Sequence, residues 1–374
     1  MTGRNVLMPA AALLLLACGS APAGDRAGFA SQSALQAGPP LSAPRATHAI
    51  IRSGDWLLLI GGCVRDGCEP GPGSATVDMI GTRGETRKVG RLLVQRVQPI
   101  AASLPGGRAL VLGGWVNGRV DSTSEIFDGA TGKSVRGPDL AGPRSSASVA
   151  VLADGRVLIA GGFDGANPLA SAEIYDPRTG RIQSTGNLVS ARSGATATLL
   201  RDGRVLIAGG GTGDRSDRVA LASAELYDPR TGRFTATGSL AQRRYKHGAV
   251  ALPDGDVIIL GGSDERDYSG KLNSVERYNV RSGRFVPAGR LAEDRFKLAD
   301  ASVLLPSGKI FVAGGNERPE LFDPASGTSR LLDMGLGGQW NYLTAALAGD
   351  RIFLAGGYSE GSIRVSDRNW TLRL

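Results

Sequence analysis

Histidine and cysteine are scarce in this chain of 374 residues, which has only two of the former and three of the latter. Because His48 and His247 occupy equivalent positions of an internal repeat, neither is available for a Ser-His-Asp triad. Phosphate-binding glycine signatures are also lacking, since the glycine-rich segments end strands and do not open helices. The 43 basic residues outnumber the 35 acidic ones but are spread along the chain, which favours a solvated surface over a nucleic-acid site.

Long apolar runs are missing as well, apart from the segment Val6–Ala17, which is too short to span a bilayer. With Arg4 before it, the run predicts a signal peptide over residues 1–17 and therefore export. The next residues, Leu-Leu-Ala-Cys-Gly-Ser, resemble a bacterial lipobox, which implies a lipid on Cys18; an ordinary signal peptide with an incidental cysteine is the alternative. Residues 18–40, rich in Ala, Gly, Ser and Pro, read as a flexible tether.

The two remaining cysteines, Cys63 and Cys68, lie five positions apart in one loop. In an exported protein this spacing predicts a local disulfide. A redox-active dithiol would call for Cys-x-x-Cys at the start of a helix, and neither feature is present.

Glycine, in contrast, is abundant, with 55 residues, and it marks a repeat. Seven apolar runs end in Gly-Gly, at intervals of roughly 50 residues. The runs are LLLIGG, ALVLGG, VLIAGG (twice), VIILGG, IFVAGG and IFLAGG, ending at Gly62, Gly114, Gly162, Gly210, Gly262, Gly315 and Gly357. A repeat of this size is too small to bury its own apolar face, so the repeats must stack against one another.

One repeat, residues 193–238, shows the expected local structure. A strand of small residues is followed by an Asp202-Gly203 hairpin, an apolar second strand ending in Gly-Gly, the third strand SAELYD and an outer strand. Four antiparallel strands that are adjacent in sequence make a propeller blade. We therefore predict an all-β fold with seven four-stranded blades.

Three motifs recur in phase: the Gly-Gly ending, a third-strand glutamate (Glu125, Glu173, Glu225, Glu276, Glu320) and Leu-x-x-x-Arg before each inner strand. Together they resemble the kelch repeat, especially that of exported bacterial kelch proteins. The resemblance covers about residues 41–374 and implies one seven-bladed kelch β-propeller. The outer strand of the last blade could come from the C-terminus or from residues 34–41, and the sequence leaves both open.

The arginine of that motif recurs in six repeats, and repeat seven has Trp340 near the same position. Each arginine precedes an inner strand, so the six should surround one mouth of the central channel. They could bind an anion through bidentate contacts, with Trp340 stacking on a sugar, or they could pair with the third-strand glutamates. The arginines are Arg45, Arg96, Arg144, Arg192, Arg244 and Arg295.

Loops between the second and third strands should emerge on the same face as this mouth. The long ones belong to repeats one, four and five and carry charged residues and a tyrosine, which makes them candidates for recognition. These residues are Arg65, Asp66, Asp214, Arg215, Asp217, Asp264, Glu265, Arg266, Asp267 and Tyr268.

Some kelch propellers resemble galactose oxidase, a copper enzyme that needs two histidines, two tyrosines and a cysteine cross-link. His48 and His247 fall in repeats one and five, too far apart to share a metal, and the acidic runs lack calcium-loop spacing. We therefore expect no metal, no cofactor and no enzyme of this type.

The sequence predicts a monomeric lipoprotein of the bacterial cell envelope, at the outer membrane if the host has one, that binds a protein or a glycan. The alternative is a carbohydrate-active propeller, similar to sialate mutarotase, that acts on an acidic sugar.

Overall fold

The computed structural model describes residues 35–68, 72–81, 87–213 and 217–374. The predicted signal peptide (1–17) and the predicted lipidation site Cys18 lie outside these residues. Apart from one 3-10 helix, Asp267–Gly270, the regular structure in the described ranges is β-strand, as predicted. No helix within these ranges has the length and apolar character needed to cross a membrane.

The strands are numbered in chain order. The first half comprises β1 (Gln36–Ala37), β2 (Ala49–Ser53), β3 (Trp56–Ile60), β4 (Ser74–Gly81), β5 (Arg87–Arg96), β6 (Ile100–Leu104), β7 (Arg108–Leu112), β8 (Trp115–Val116), β9 (Arg119–Val120), β10 (Ser124–Asp128), β11 (Lys133–Arg136), β12 (Ser148–Val151), β13 (Val157–Ala160), β14 (Ala172–Asp176), β15 (Arg181–Ser184), β16 (Thr196–Leu199) and β17 (Val205–Ala208). The second half comprises β18 (Gly211–Thr212), β19 (Val219–Ala220), β20 (Ala224–Asp228), β21 (Arg233–Ala236), β22 (Gly248–Ala251), β23 (Val257–Leu260), β24 (Leu272–Asn279), β25 (Arg284–Arg295), β26 (Ser302–Leu304), β27 (Ile310–Val312), β28 (Glu320–Asp323), β29 (Thr328–Leu331), β30 (Trp340–Asn341), β31 (Thr344–Ala348), β32 (Arg351–Ala355), β33 (Tyr358–Ser359) and β34 (Asn369–Arg373).

Each repeat folds into four antiparallel strands, which we call a unit. In unit three the order is β12-β13-β14-β15, and the small residues Asp154-Gly155 connect the first two strands. The second strand of a unit is buried on both faces, because neighbouring units pack against it; all four residues of β13 are at most 1% exposed. Apolar clusters between adjacent units thus form the core.

The all-β propeller class is as predicted, but five separate four-stranded blades are found in the described ranges where seven were predicted. Five units are separate four-stranded sheets, whereas units one and two are joined in one eight-stranded sheet. The junction is a single parallel pair between Arg91 of β5 and Lys133 of β11. It forms because Gly90 lets the chain approach closely: a Cβ there would lie 2.5 Å from the Phe127 ring and 2.9 Å from the Gly132 carbonyl oxygen.

A ring of hydrogen bonds connects the units in succession. The amide of the second glycine of each Gly-Gly pair donates to the carbonyl of the residue at the repeat-arginine position of the next unit, at 2.8–3.0 Å. The last of these bonds returns from Gly357 of unit seven to Arg45 of unit one and closes the circle. The pairs are Gly62–Arg96, Gly114–Arg144, Gly162–Arg192, Gly210–Arg244, Gly262–Arg295, Gly315–Trp340 and Gly357–Arg45.

The N-terminal side of the chain supplies the outer strand of the last unit. Its sheet has the order β1-β34-β32-β31, and Gln36 lies opposite Thr371. The propeller therefore begins before residue 41, which was the predicted start of the domain. The C-terminal strand β34 is the third strand of this unit, not its outer strand.

Candidate ligand-binding site

The six repeat arginines do not form a ligand collar. All are at most 2% exposed, so no anion in the channel can reach their guanidinium groups. The interpretation of Arg45, Arg96, Arg144, Arg192, Arg244 and Arg295 as ligand-binding residues is therefore wrong, and the alternative of pairing inside the unit is what the structure shows.

Arg192 illustrates the internal pairing. Its guanidinium donates to the Gly209 carbonyl at 2.7 Å, to the Ser223 carbonyl at 3.0 Å and to a Glu225 carboxylate oxygen at 2.7 Å. The guanidinium thereby joins the end of the second strand to the third strand. In unit one the carboxylate is Asp78, 2.6 Å from Arg45, a partner that the search for a recurring glutamate missed.

Trp340 is not a sugar-stacking residue at the mouth either. It is 8% exposed and its indole packs 6.2 Å from the Trp370 ring, centroid to centroid. The indole nitrogen donates to the Leu336 carbonyl at 3.1 Å. Trp340 occupies the arginine position of unit seven as a core residue, which corrects the prediction.

The channel itself holds a cavity of about 840 Å³, lined by residues at or just before the start of each of the seven inner strands. At the mouth, the residue two positions after each repeat arginine lines the cavity and has a left-handed backbone, with φ between 50° and 63°. We call these seven residues the mouth ring: Thr47, Gln98, Ser146, Gly194, Lys246, Lys297 and Tyr342. The sequence analysis did not identify these residues. The signal that could have found them is that the second position after the repeat arginine varies, whereas the surrounding motif is regular.

The basic and aromatic members of the mouth ring lie together, in units five to seven. Around them gather side chains from the loops of units five and seven, forming what we call the lysine–tyrosine cluster. Its members are Lys246, Asp267, Tyr268, Lys271, Phe296, Lys297, Tyr342, Tyr358 and Glu360.

Lys297 is the centre of this cluster and is 3% exposed. Its Nζ donates to the Tyr268 hydroxyl at 2.7 Å and also to the Tyr358 hydroxyl, and it lies 3.9 Å from the Tyr268 ring centroid. Among the described residues no carboxylate lies within ion-pair distance of it. Burial, reinforced by the charge of Lys246, lowers the pKa of Lys297 to about 7.

The other two lysines of the cluster are neutralised by acids. Lys246 lies 3.0 Å from an Asp267 carboxylate oxygen, and Lys271 lies 2.7 Å from a Glu360 carboxylate oxygen. Asp267 and Tyr268 come from the long loop of unit five, which the sequence had singled out and which forms the 3-10 helix here. Of the predicted loop residues in unit four, positions 214–216 lie outside the described ranges.

The phenol groups of the cluster stay protonated at neutral pH. Burial raises the pKa of Tyr342, and burial together with the hydrogen bond to Tyr268 raises that of Tyr358. The Tyr268 and Tyr358 hydroxyls are 2.7 Å apart. The mouth therefore presents amine and phenol donors beside aromatic faces.

The histidines do not suit a metal. His48 Nε2 lies 2.8 Å from the Thr344 hydroxyl and His247 Nε2 lies 2.9 Å from the Thr196 hydroxyl, so each ring joins two adjacent units. Burial lowers the pKa of both to about 3, which keeps them neutral. Within the described ranges no three His, Cys, Asp or Glu side chains group as metal ligands would.

The disulfide between Cys63 and Cys68 is present, as predicted. Its loop reaches unit seven: the Gly67 amide donates to the Ile363 carbonyl at 3.1 Å, and the Val365 amide donates to Asp66 Oδ1 at 2.9 Å. Gly67 and Cys68 line the cavity. The loop of unit one therefore fastens the first unit to the last beside the mouth.

Comparisons with known proteins agree with this fold. The kelch motif matches residues 143–181 and 244–291, which together make up less than a quarter of the chain. A fungal alcohol oxidase of the AA5 family, solved in complex with copper, superposes with a TM-score of 0.72 at 19% identity, over 91% of this chain and 76% of the oxidase. This likeness shows the fold alone.

A curated protein, tRNA wybutosine-synthesizing protein 4 of Saccharomyces cerevisiae, is 36% identical over 53 residues. That match covers 14% of this chain and 8% of the yeast protein, so the chain corresponds to less than a tenth of its length. The kelch motifs and the arrangement of the sheets support a kelch-type propeller.

Proposed function

We propose that this kelch-type β-propeller is an exported binding protein that takes an anionic saccharide at the channel mouth. The observation that carries the proposal is Lys297, a buried amine at the cavity that has phenols, but no carboxylate of the described part of the chain, as partners. Buried charges in proteins are normally paired, so this amine calls for an anion from outside the chain.

The charge balance of the cluster supports an anionic ligand. Three lysines face two carboxylates, and both carboxylates are engaged by Lys246 and Lys271. Without a bound anion the Lys297 amine loses its proton near pH 7. An anion placed beside it favours the ammonium form, so binding takes up a proton and weakens as the pH rises above 7.

The shape and lining of the site support a saccharide. The cavity of about 840 Å³ falls within the range of small-molecule sites, roughly 300–1,000 Å³. Tyr268, Tyr342 and Tyr358 line the cavity, and tyrosines suit a ligand that is apolar on one side and polar at its edges. A macromolecular glycan would present one terminal acidic sugar to the mouth.

Calorimetric titration with glucuronic acid and with glucose tests the proposal. We expect the acid to bind at least tenfold more tightly, because a hydrogen bond to a charged group contributes about 1.5–3 kcal/mol. Lys297→Met should remove this preference, whereas Lys133→Met, which removes an exposed amine on β11, should not. NMR of the sugar anomers in the same samples separates binding from turnover by a carbohydrate-active protein.

Equal affinities of wild type and Lys297→Met for the acid would refute the proposal. Failure of all acidic sugars to bind, together with crosslinking of a protein at the mouth, would instead assign the site to a protein partner.

The location in the cell is part of the same proposal. The apolar run before Cys18 supports export and lipid anchoring in the bacterial envelope. Cys18→Ser should move the protein from the membrane fraction to the soluble fraction on cell fractionation. Retention of the variant in the membrane would contradict the lipid anchor.

A further inference from the structure

The inner strand of unit six departs from the repeat at one place. The hairpin glycine follows the repeat arginine by eleven positions in unit five (Gly255 after Arg244) but by thirteen in unit six (Gly308 after Arg295). The extra length lies at the start of the inner strand, next to Lys297, where Ala299 and Asp300 form a turn.

This turn is held firmly by the main chain. The Ala301 amide donates to the Leu298 carbonyl at 2.9 Å, which closes the turn, and the Ala345 amide of unit seven donates to the Asp300 carbonyl at 2.6 Å. Asp300 has a left-handed backbone with φ 60°, a conformation that Asp, Asn and Gly tolerate better than other residues. Its position is therefore set by units six and seven together.

Asp300 lines the channel cavity and is an exposed residue there. Among the described residues its carboxylate has no hydrogen-bond or ion-pair partner. The enclosing walls raise the pKa of Asp300 to about 6, so the group is mainly ionised at pH 7.5. A lone carboxylate in an enclosed channel is stabilised most by a cation.

We infer that Asp300 is a second subsite of the channel, which binds the ammonium group of a ligand whose anionic group lies at Lys297. The inference rests on the proposed function and narrows it to acidic amino sugars. The two residues are three positions apart, so their Cα atoms are separated by at most about 11 Å. Both residues also line the same cavity, so we assign them to one ligand that carries a carboxylate on one substituent and an amine on another.

Calorimetry at pH 7.5 with muramic acid and N-acetylmuramic acid tests the subsite, because the two sugars share a carboxylate and differ in a free amine. Wild type should bind muramic acid at least tenfold more tightly. Asp300→Asn should abolish this preference and leave the affinity for N-acetylmuramic acid within about twofold. Asp300→Gly should behave in the same way, since glycine also accepts the backbone of the turn.

The variants keep the two proposals distinguishable. Lys297→Met should weaken both acidic sugars while wild type still binds glucosamine, which has the amine but no acid, through Asp300. A preference for muramic acid that survives Asp300→Asn and Asp300→Gly would overturn the subsite and leave the proposed function intact. Failure of wild type to bind either acidic sugar would overturn the proposed function. In that case, glucosamine binding by wild type that is lost in Asp300→Asn would still support the subsite. Failure of wild type to bind glucosamine would refute the subsite.

Discussion

Replacing Lys297 by methionine should make the protein more stable at neutral pH while weakening the proposed binding of acidic sugars. The pKa of this lysine falls from the ordinary 10.5 to about 7 in the folded protein. At pH 7.5 the unfolded chain holds the proton that the folded chain has mostly given up. The free-energy cost of folding with this group is therefore about 4 kcal/mol.

Removing Lys297 removes this penalty, but it also removes the favourable contacts of the side chain. The Nζ hydrogen bonds to Tyr268 and Tyr358 disappear, at about 1 kcal/mol each, but the two hydroxyls remain bonded to each other. Methionine is unbranched and flexible enough to fill the space between the rings. We expect the free energy of unfolding at pH 7.5 to rise by about 2 kcal/mol.

The dependence on pH gives this prediction its sharpest form. A base whose pKa is lowered on folding destabilises the protein at any pH below its unfolded pKa. The penalty is largest below the folded pKa and shrinks as the pH rises from the folded to the unfolded value. Between pH 7.5 and 9.5, the free energy of unfolding of wild type should therefore rise relative to that of Lys297→Met by about 1.4 kcal/mol per pH unit. The two proteins should be equally stable near pH 9.

Urea unfolding followed by tryptophan fluorescence at pH 7.5, 8.5 and 9.5 measures these differences, with the exposed Lys133→Met as the matched control. A difference between Lys297→Met and wild type that does not change with pH would refute the reasoning. So would a variant that is less stable than wild type at pH 7.5.

Three further predictions concern the frame. Arg192→Met leaves the buried Glu225 carboxylate without its cationic partner and should lower the free energy of unfolding by about 3–5 kcal/mol in urea, without changing saccharide affinity; a loss below 1 kcal/mol would contradict the pairing. Replacing Cys63 and Cys68 by serine together should cost about 2 kcal/mol, and unchanged stability of the double variant would show that the loop needs no crosslink. A chain that begins at residue 41 lacks β1 and should melt at a lower temperature than one that begins at residue 35, whereas equal melting temperatures would mean that the closing strand contributes nothing.

The repeat frame could be predicted from the sequence because its signals are local. Asp202-Gly203 specifies a hairpin from two residues alone, and Gly-Gly marks the point where the chain meets the next unit. The structure gives the reason for the latter: a Cβ on Gly209 would lie 2.4 Å from the Arg244 carbonyl oxygen. Such contacts recur in every unit, so the pattern is visible without coordinates.

The site could not be predicted in the same way, because it breaks the repeat and combines distant segments. Lys297 obtains its environment from the loop of unit five through Tyr268 and from unit seven through Tyr358. The arginine motif suggested a ligand site because it recurs regularly. Residues that recur in every unit, however, serve packing within and between the units. The variable mouth ring and the insertion at Asp300 were the better signals of a ligand site.

The proton uptake that accompanies glucuronic acid binding tests the central claim most directly. Titration calorimetry at pH 8 in two buffers of different ionisation enthalpy measures it. With a pKa of about 7, Lys297 is mostly neutral before binding, so uptake of about 0.9 proton per bound sugar is predicted. Binding without proton uptake would show that Lys297 does not receive the anion and would contradict the account.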